Sequence, residues 1–406
     1  MKSPVKSLQV ESLQIEKLVY GGEGLSRTGG EVVLTPFVLA GETVEAQRLD
    51  TRKKVQRARL VRVTEASAER IDPPCPVFAR CGGCQYQHST YSAQLRFKRE
   101  ILAETLRRVG KIEYETDRIA VESGPPYSYR NRAQFHIGRG KIGYREMGSH
   151  RLVPIEECPV SAPKLNEVIA ALNRMVHDRR WPGFVSSLEV FTDDVQVQWN
   201  VLESERHVGK HFFDWLAEEV PGTVGGPLDY FVNEDNFRVS GSSFFQINRF
   251  LLPQLAELAI GGYKGATAWD LYAGVGLFSL PLARNFERVT AVESGRSAAS
   301  DLKWNAEGAG VCIEIALQNA EDYLANAETA PDLVVADPPR AGLGKSAVGR
   351  LLDLRPANLV LVACDPATLA RDLAALGAAY SIDRLTLVDL FPQTFHLETI
   401  AHLSLR

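Results

Sequence analysis

The first 65 residues alternate apolar and polar positions over short runs. The runs read QVESLQIEKLV, EVVLTPFVL and ETVEAQRL, and the glycine turns GGEG, TGG and AGE separate them. Short alternating runs between glycine turns predict the strands of a small β-barrel. The stretch from Arg48 to Arg62 carries seven basic residues and one acidic residue, Asp50. Such a stretch is typical of a solvated edge strand or of an OB-like barrel that binds nucleic acid.

Residues 66–245 mix helical and strand-like periods. A helical pattern runs from Tyr91 to Val109 and ends at Gly110, and a second helix is predicted around residues 163–178. Strand-like runs lie between and after them: RAQFHIGR, KIGYRE, SSLEVFTDDVQVQWNV and YFVNEDNFRVS. This mixture predicts an α+β central domain.

From about Phe250 to the C-terminus, predicted helices and strands alternate. The alternation begins with LLPQLAELAI, TAWDLYA, RVTAVE and SAASDLKWNAEG, and it continues with PDLVVADPP and LRPANLVLVAC. Alternation of this kind predicts βαβ units and a doubly wound, Rossmann-like α/β sheet. The 406 residues suit two or three domains, and we expect three: a barrel (1–65), an α+β domain (66–245) and an α/β domain (246–406).

Composition and charge predict where the protein is located and what kind of partner it binds. Apolar residues make up 45% and charged residues 24%, as in a globular protein. No apolar run reaches transmembrane length and no signal peptide is evident, so a cytoplasmic protein is expected. The net charge is −4, yet residues 1–65 hold eleven Lys/Arg against eight Asp/Glu. A basic end on an acidic protein indicates a polyanionic partner for that end.

The segment DLYAGVGLFSL follows the first strand of the predicted α/β domain. Gly274 and Gly276 allow a tight turn where a ligand can approach the backbone. Glu293 ends the next strand, 19 residues after Gly274, where a carboxylate can bind both hydroxyls of a ribose. The third glycine of a dinucleotide motif is missing, so a nucleoside such as S-adenosylmethionine fits better. The alternative is a glycine turn that serves packing alone.

The segment VVADPPRAG places Asp337 at the same edge of the sheet. Methyltransferases that act on adenine amino groups carry an aromatic residue after the two prolines, where this chain has Arg340. This difference argues against methylation of an amino group.

The segment LVLVACDPATLARDL places Cys364 at a strand end, just before a helix that Asp365 or Thr368 can cap. A thiol facing a helix N-terminus can have a lowered pKa and act as a nucleophile. An inert buried cysteine is the alternative.

In FPQTFHLETI, Glu398 lies in an otherwise apolar strand, with His396 two residues earlier on the same face. A desolvated carboxylate has a raised pKa and suits a general base. A solvent-facing Glu on an edge strand is the alternative.

Four of the six cysteines form a candidate metal set. Cys75, Cys81 and Cys84 lie within ten residues in CPVFARCGGC, and Cys158 follows in EECPV. Four thiolates can hold zinc or an iron–sulfur cluster. The spacing is neither that of a zinc ribbon nor that of radical enzymes.

Together these segments resemble the RNA uridine-5-methyltransferase family. CGGCQYQH, FFQIN, DLYAGVG, DPPRAG, CDPAT and FPQTFHLET occur in the family's order, and the match covers nearly the whole chain. The N-terminal barrel resembles a TRAM domain. With the cysteines it favours the 23S ribosomal RNA branch, since the transfer RNA branch typically lacks both.

The resemblance implies a catalytic mechanism and a set of site residues. Cys364 would attack carbon 6 of a flipped uracil, S-adenosylmethionine would methylate carbon 5, and Glu398 would remove the carbon 5 proton. A 4Fe–4S cluster would sit on the four cysteines. Residues at the glycine turn and nearby strand ends would bind the cofactor: Gln246, Tyr272, Gly274, Glu293, Asn319 and Asp337.

Some features depart from the family or leave alternatives open. Asp365 replaces a usual Asn and should oppose thiolate formation unless it caps the helix. Phe395 replaces a common Pro, and Leu277 a polar residue of some members. Arg130 and Arg132 are candidate RNA contacts or solvated charges. A transfer RNA enzyme, an inactive zinc-stabilised RNA-binding protein and a small-molecule methyltransferase remain alternatives, and a monomer is expected.

Overall fold

The computed structural model describes residues 10–49 and 55–406. Its N-terminal part is a six-stranded sheet with the order β1-β5-β6-β4-β3-β2. Apolar side chains on alternate positions, such as Val44 and Ala46, pack inside it with Leu13 and Val33. The strands are β1 (Val10–Gln14), β2 (Lys17–Val19), β3 (Glu23–Thr28), β4 (Glu31–Pro36), β5 (Thr43–Arg48) and β6 (Gln56–Glu65).

The next segment starts with the predicted long helix. Helix α1 (Tyr91–Thr105) passes into one π-helical turn, Leu106–Gly110, and ends where Lys111 adopts a left-handed conformation. A short strand, β7 (Ala120–Glu122), follows.

The central part is a second six-stranded sheet, with the order β10-β9-β8-β11-β12-β13. Its helices pack on one apolar cluster that contains Leu165, Leu172, Phe135 and Trp215. The elements are β8 (Arg132–Gly138), β9 (Lys141–Arg145), β10 (Leu152–Pro154), α2 (Pro163–Met175), β11 (Val185–Thr192), β12 (Val197–Ser204), α3 (Lys210–Glu219) and β13 (Thr223–Val224).

The C-terminal part follows the predicted alternation of strands and helices. A hairpin of β14 (Leu228–Val232) and β15 (Asp235–Val239) precedes it. Then come α4 (Leu252–Ile260), β16 (Gly265–Leu271), α5 (Ser279–Asn285), β17 (Phe286–Val292), α6 (Arg296–Gly308), β18 (Glu314–Ala316), α7 (Ala320–Asn326), β19 (Leu333–Ala336), α8 (Gly344–Leu354), β20 (Asn358–Ala363), α9 (Pro366–Leu376), β21 (Tyr380–Val388) and β22 (Glu398–Leu405).

These strands form an eight-stranded mixed sheet with the order β18-β17-β16-β19-β20-β22-β21-β7. Strands β16 to β20 run parallel, and β22 is antiparallel to β20 and β21. The central parallel strands β19 and β20 are buried on both faces and therefore read as continuous apolar runs, as in LVVA of β19. Their carboxyl ends meet at one edge, where ligands bind in such sheets.

Packing crosses the predicted domain boundaries, as the following contacts show. Strand β7, from the predicted central domain, pairs with β21 at the edge of the C-terminal sheet. Phe97 and Leu102 of α1 share an apolar cluster with Leu369 of α9 and with Leu18 of the N-terminal sheet. The three-domain division stays a prediction, but residues 91–122 pack with the C-terminal sheet. In the described ranges, no helix is both long and apolar enough to cross a membrane.

Candidate active site

The glycine turn and Glu293 meet at the carboxyl edge of the C-terminal sheet. Gly274 N donates to Glu293 Oε2 at 2.9 Å, and Gly295 N donates to Glu293 Oε1 at 2.5 Å. Gly276 has a φ of 101°, and a Cβ there would lie 2.8 Å from Leu280 Cδ1, so only glycine fits. Glu293 thus stabilises the turn through these two hydrogen bonds, and each of its carboxylate oxygens keeps a second lone pair that can accept a hydrogen bond from a ligand.

Tyr272 and Asn319 flank this turn but are partly engaged elsewhere. Tyr272 adopts a left-handed φ of 64°, and its hydroxyl donates to Glu321 Oε1 at 3.4 Å. Asn319 caps α7, because its Oδ1 accepts from Asp322 N at 2.7 Å and its Nδ2 donates to Asp322 Oδ2 at 2.9 Å. The Asn319 amide therefore acts first as a helix cap, and a cofactor contact by it stays a prediction.

Asp270 is a buried carboxylate that the motif analysis did not single out. It is fully buried and accepts a short hydrogen bond from Ser279 Oγ across the turn. Burial raises its pKa to about 7, and the charges of Asp337 and Glu293 add to this shift. In the sequence, the feature that could have identified Asp270 is its position as the first residue of the DLYAGVG motif.

Cys364, Asp337 and Glu398 lie together at the centre of the same edge. In the β20–β22 ladder Ala363 faces Thr399, and continuing this register places Cys364 opposite Glu398. Asp337 follows the neighbouring strand β19, and Gln246 Nε2 lies 3.5 Å from Asp337 Oδ2. The structure therefore brings four of the predicted site residues together.

Glu398 is 3% exposed, so the alternative of a solvent-facing residue is wrong. In the described part of the chain, its Oε1 has no hydrogen-bond partner. Burial raises the pKa of Glu398 well above its usual value, and the charge of Asp337 adds to this. Burial also raises the pKa of Asp337, to about 7.

The lowered pKa that a helix N-terminus could have given Cys364 is not found. The pKa of this thiol is raised to about 11, mainly by burial and further by the charges of Glu398 and Asp337, while Arg340 acts in the opposite direction. The N-terminus of α9 offers little help, because Asp365 Oδ1 accepts from Ala367 N and Thr368 N, each at 2.9 Å. Asp365 is therefore the helix cap, as the sequence left open.

His396 does not share a strand face with Glu398. It lies before β22 in the segment of residues 389–397, called the Glu398 loop below, with its ring centroid 4.3 Å from that of Phe395. Burial lowers its pKa to about 4, and Arg340 contributes. His396 is therefore neutral near pH 7.

Tyr20, from the turn after β2, reaches this site and was not anticipated. Its hydroxyl donates to the Cys364 carbonyl at 3.4 Å, and its ring packs edge-to-face on Phe395 at 5.4 Å. Burial raises its pKa, and the charge of Asp365 adds to the shift. Sequence offers no signal for this contact, since the two segments lie more than 340 residues apart.

The four candidate metal-binding cysteines line one cavity. The cavity has a volume of about 730 Å³ and lies between the N-terminal sheet, the central sheet and Phe395. Gly83 N donates to Cys81 Sγ at 3.4 Å, and burial raises the pKa of Cys84 to about 12. Within residues 10–49 and 55–406, no three His, Cys, Asp or Glu side chains are arranged to hold a single metal ion.

Arg130 and Arg132 are not solvated charges. Arg130 lines the cysteine cavity, and its Nε donates to the Arg132 carbonyl at 2.9 Å. Arg132 is 8% exposed, its guanidinium lies 4.4 Å from the Phe191 ring centroid, and its Nη1 donates to the Ser243 carbonyl at 3.0 Å. Contact of either residue with RNA stays a prediction.

Several arginines of the basic run are paired within the N-terminal sheet. Arg48 binds Glu11 and Glu31, and Arg62 donates to Glu45 at 2.9 and 2.6 Å. Part of the predicted positive surface is therefore neutralised. Arg59 donates instead to the uncharged Gln47. The rest of the basic run, residues 50–54, lies outside the described residues.

Known proteins that are similar to this chain in sequence and structure are RNA methyltransferases. The family model for tRNA (Uracil-5-)-methyltransferase matches residues 229–406. An uncharacterized RNA methyltransferase of Aquifex aeolicus is 32% identical, covering 97% of this chain and 98% of that protein. Another, from Enterococcus faecalis, is 31% identical and covers 98% of both.

One solved structure aligns with almost the whole chain. It is the Pyrococcus abyssi tRNA (uracil-54, C5)-methyltransferase in complex with S-adenosyl-L-homocysteine. It is 26% identical, has a TM-score of 0.77, and the match covers 97% of this chain and 100% of that one. The chain belongs to the RNA (uracil-5-)-methyltransferase family and is an S-adenosylmethionine-dependent enzyme of that family.

Proposed function

We propose that this enzyme methylates carbon 5 of a specific uridine through a covalent bond between Cys364 and carbon 6 of uracil. The main observation that supports this is that Cys364, Asp337 and the buried Glu398 meet at one edge of the sheet. Addition of a thiolate to carbon 6 makes carbon 5 nucleophilic, which unactivated uracil is not. S-adenosylmethionine supplies the methyl group.

The two reacting side chains act in sequence. Cys364 adds as the thiolate and leaves as the thiolate after methyl transfer. Glu398 takes the proton from carbon 5, and a carboxylate with a raised pKa is a stronger base for this step than a solvated one. The glycine turn, Glu293 and Tyr272 would hold the cofactor beside them.

We also propose that Cys75, Cys81, Cys84 and Cys158 hold a 4Fe–4S cluster. All four thiols line one cavity, and an N–H donor points at one of the sulfurs. Each iron of a cubane takes one cysteine, so the four thiols need not converge on one point as they would around zinc. The cluster would hold together the chain segments that carry these cysteines.

The proposed substrate is 23S ribosomal RNA, with transfer RNA as the second candidate. The N-terminal sheet and the cysteines support the ribosomal branch. The Pyrococcus abyssi protein favours the alternative, because it acts on tRNA and aligns with nearly the entire chain. A cytoplasmic location and a monomeric state remain predictions.

The proposal is tested by Cys364→Ala and Glu398→Gln. Cys364→Ala should give neither methylated RNA nor an adduct, whereas Glu398→Gln should accumulate a covalent enzyme–RNA band on a denaturing gel, because elimination is blocked. Cys312→Ala, at an exposed free cysteine, is the matched control and should behave as the native enzyme. Methylation by Cys364→Ala would refute the covalent mechanism.

The substrate is tested by mass-spectrometric mapping of 5-methyluridine in both RNAs of a deletion strain. A methyluridine missing only from transfer RNA would refute the ribosomal assignment.

A further inference from the structure

The start of the Glu398 loop is tied to helix α1 by a buried ion pair. Lys98 Nζ donates to Asp389 Oδ1 at 2.6 Å and to the Phe391 carbonyl at 2.9 Å. The Tyr91 hydroxyl donates to Asp389 Oδ2 at 2.9 Å. Lys98 is 0% and Asp389 1% exposed, so water does not compete for these bonds.

The middle of the loop is held by a second side chain of α1. Gln94 Nε2 donates to Gln393 Oε1 at 3.0 Å, and Gln393 N donates back to Gln94 Oε1 at 3.1 Å. Gln94 Nε2 also lies within hydrogen-bond distance of the Tyr86 and Ser89 carbonyls, at 3.1 and 2.9 Å. The amide of Gln94, which is fully buried, therefore joins the Glu398 loop to the segment after the cysteines.

Gln393 needs this support because its backbone is strained. Its φ is 68°, in the left-handed region that non-glycine residues rarely adopt. Such a conformation persists only where the surrounding structure determines it. Gln85 N and Tyr86 N both donate to the Gln393 carbonyl at 2.9 Å, directly after Cys84.

Glu398 lies where this loop joins β22, and its backbone is paired with Val388 of β21. Its Oε1 has no hydrogen-bond partner among the described residues, so little besides the backbone aims the side chain. Glu398 is the first residue of β22, and the loop delivers it to the site. A catalytic group works only when held to within a fraction of an ångström, so a shift of the loop would misplace the base.

We propose that Gln94 is a positioning residue for the base: it holds the Glu398 loop so that the Glu398 carboxylate reaches the carbon 5 proton. This inference rests on the proposed function of Glu398. It assigns to helix α1, far away in the sequence, a role in one chemical step. Loss of the Gln94 amide should slow proton removal while leaving attack by Cys364 and RNA binding intact.

The test measures turnover, RNA affinity and the fraction of enzyme trapped as covalent adduct in Gln94→Met. We expect turnover to fall at least tenfold, adduct to accumulate as in Glu398→Gln, and affinity to stay within twofold. Asn173→Leu is the matched control: Asn173 lies in α2, away from the loop, and its Nδ2 donates to the Ile155 and Ile169 carbonyls. This control should accumulate no adduct.

Gln94→Glu provides a second variant of nearly the same shape if Gln94→Met does not fold. It keeps the acceptor for Gln393 N but loses the Nε2 donor, and it should also accumulate adduct. Native turnover in the folded variants, or reduced turnover with no more adduct than in Asn173→Leu, overturns the inference. If Glu398→Gln itself traps no adduct, the proposed base is wrong, which is a separate failure.

Discussion

Replacing Glu398 by Gln should make the Cys364 thiol more acidic. The charges of Glu398 and Asp337 both raise the pKa of this thiol, and the charge of Glu398 has the larger effect. The amide of Gln has a similar shape but no charge. The substitution therefore removes one electrostatic penalty on the thiolate while largely retaining the burial that is the leading cause of the shift.

The size of the effect follows from the pKa of about 11. At pH 8 a thiol with that pKa is ionised in about one molecule per thousand. Each unit by which the pKa falls in Glu398→Gln raises the thiolate fraction tenfold, which corresponds to about 1.4 kcal/mol. Because a thiol becomes reactive on losing its proton, the whole pH profile of its reactivity should move to lower pH.

Alkylation by iodoacetamide, followed by peptide mass spectrometry, resolves Cys364 from the other five cysteines. Rates measured from pH 7 to 10, below the native pKa of about 11, give the ratio of thiolate fractions in native enzyme and Glu398→Gln and hence the difference between the two apparent pKa values. Glu314→Gln, on the far edge strand β18, is the control and should leave the profile unchanged. An apparent pKa that is equal or higher in Glu398→Gln would refute this electrostatic account.

Three further predictions concern other parts of the molecule. Asp365→Ala should destabilise helix α9 by about 1 kcal/mol, because two N–H groups lose their cap, whereas Asp365→Asn should not; hydrogen exchange in α9 measures this. Protein purified without oxygen should be brown and hold about four irons per chain, and a colourless protein with stoichiometric zinc would contradict the cluster. Arg59→Ala should reduce the slope of the log of the RNA-binding constant against log salt concentration by about 1. Arg62→Ala should change the slope less, because Arg62 is already paired with Glu45. Equal slopes in the native enzyme and both variants would count against RNA contact by this face.

The sequence alone predicted many of the strands and helices, because their periodicity is local, but it did not single out α3 (Lys210–Glu219) or β7 (Ala120–Glu122). The alternation after Phe250 predicted the C-terminal α/β sheet, and the structure confirms it. Motifs at strand ends, such as the turn at Gly274 and the thiol of Cys364, could be placed at one edge because parallel strands of one sheet share that edge. Recognition of the family followed from the order of these motifs and is confirmed by the relatives.

Only the tertiary structure decided how distant segments meet and what that does to charge. The bonds from Lys98 to Asp389 and from Tyr20 to Cys364 join residues about 300 positions apart, and no local pattern encodes such pairs. The direction of the pKa shift of Cys364 likewise could not be predicted from the sequence. The sequence shows a helix N-terminus that should lower the pKa, but burial beside Glu398 outweighs it, and burial exists only once the chain has folded.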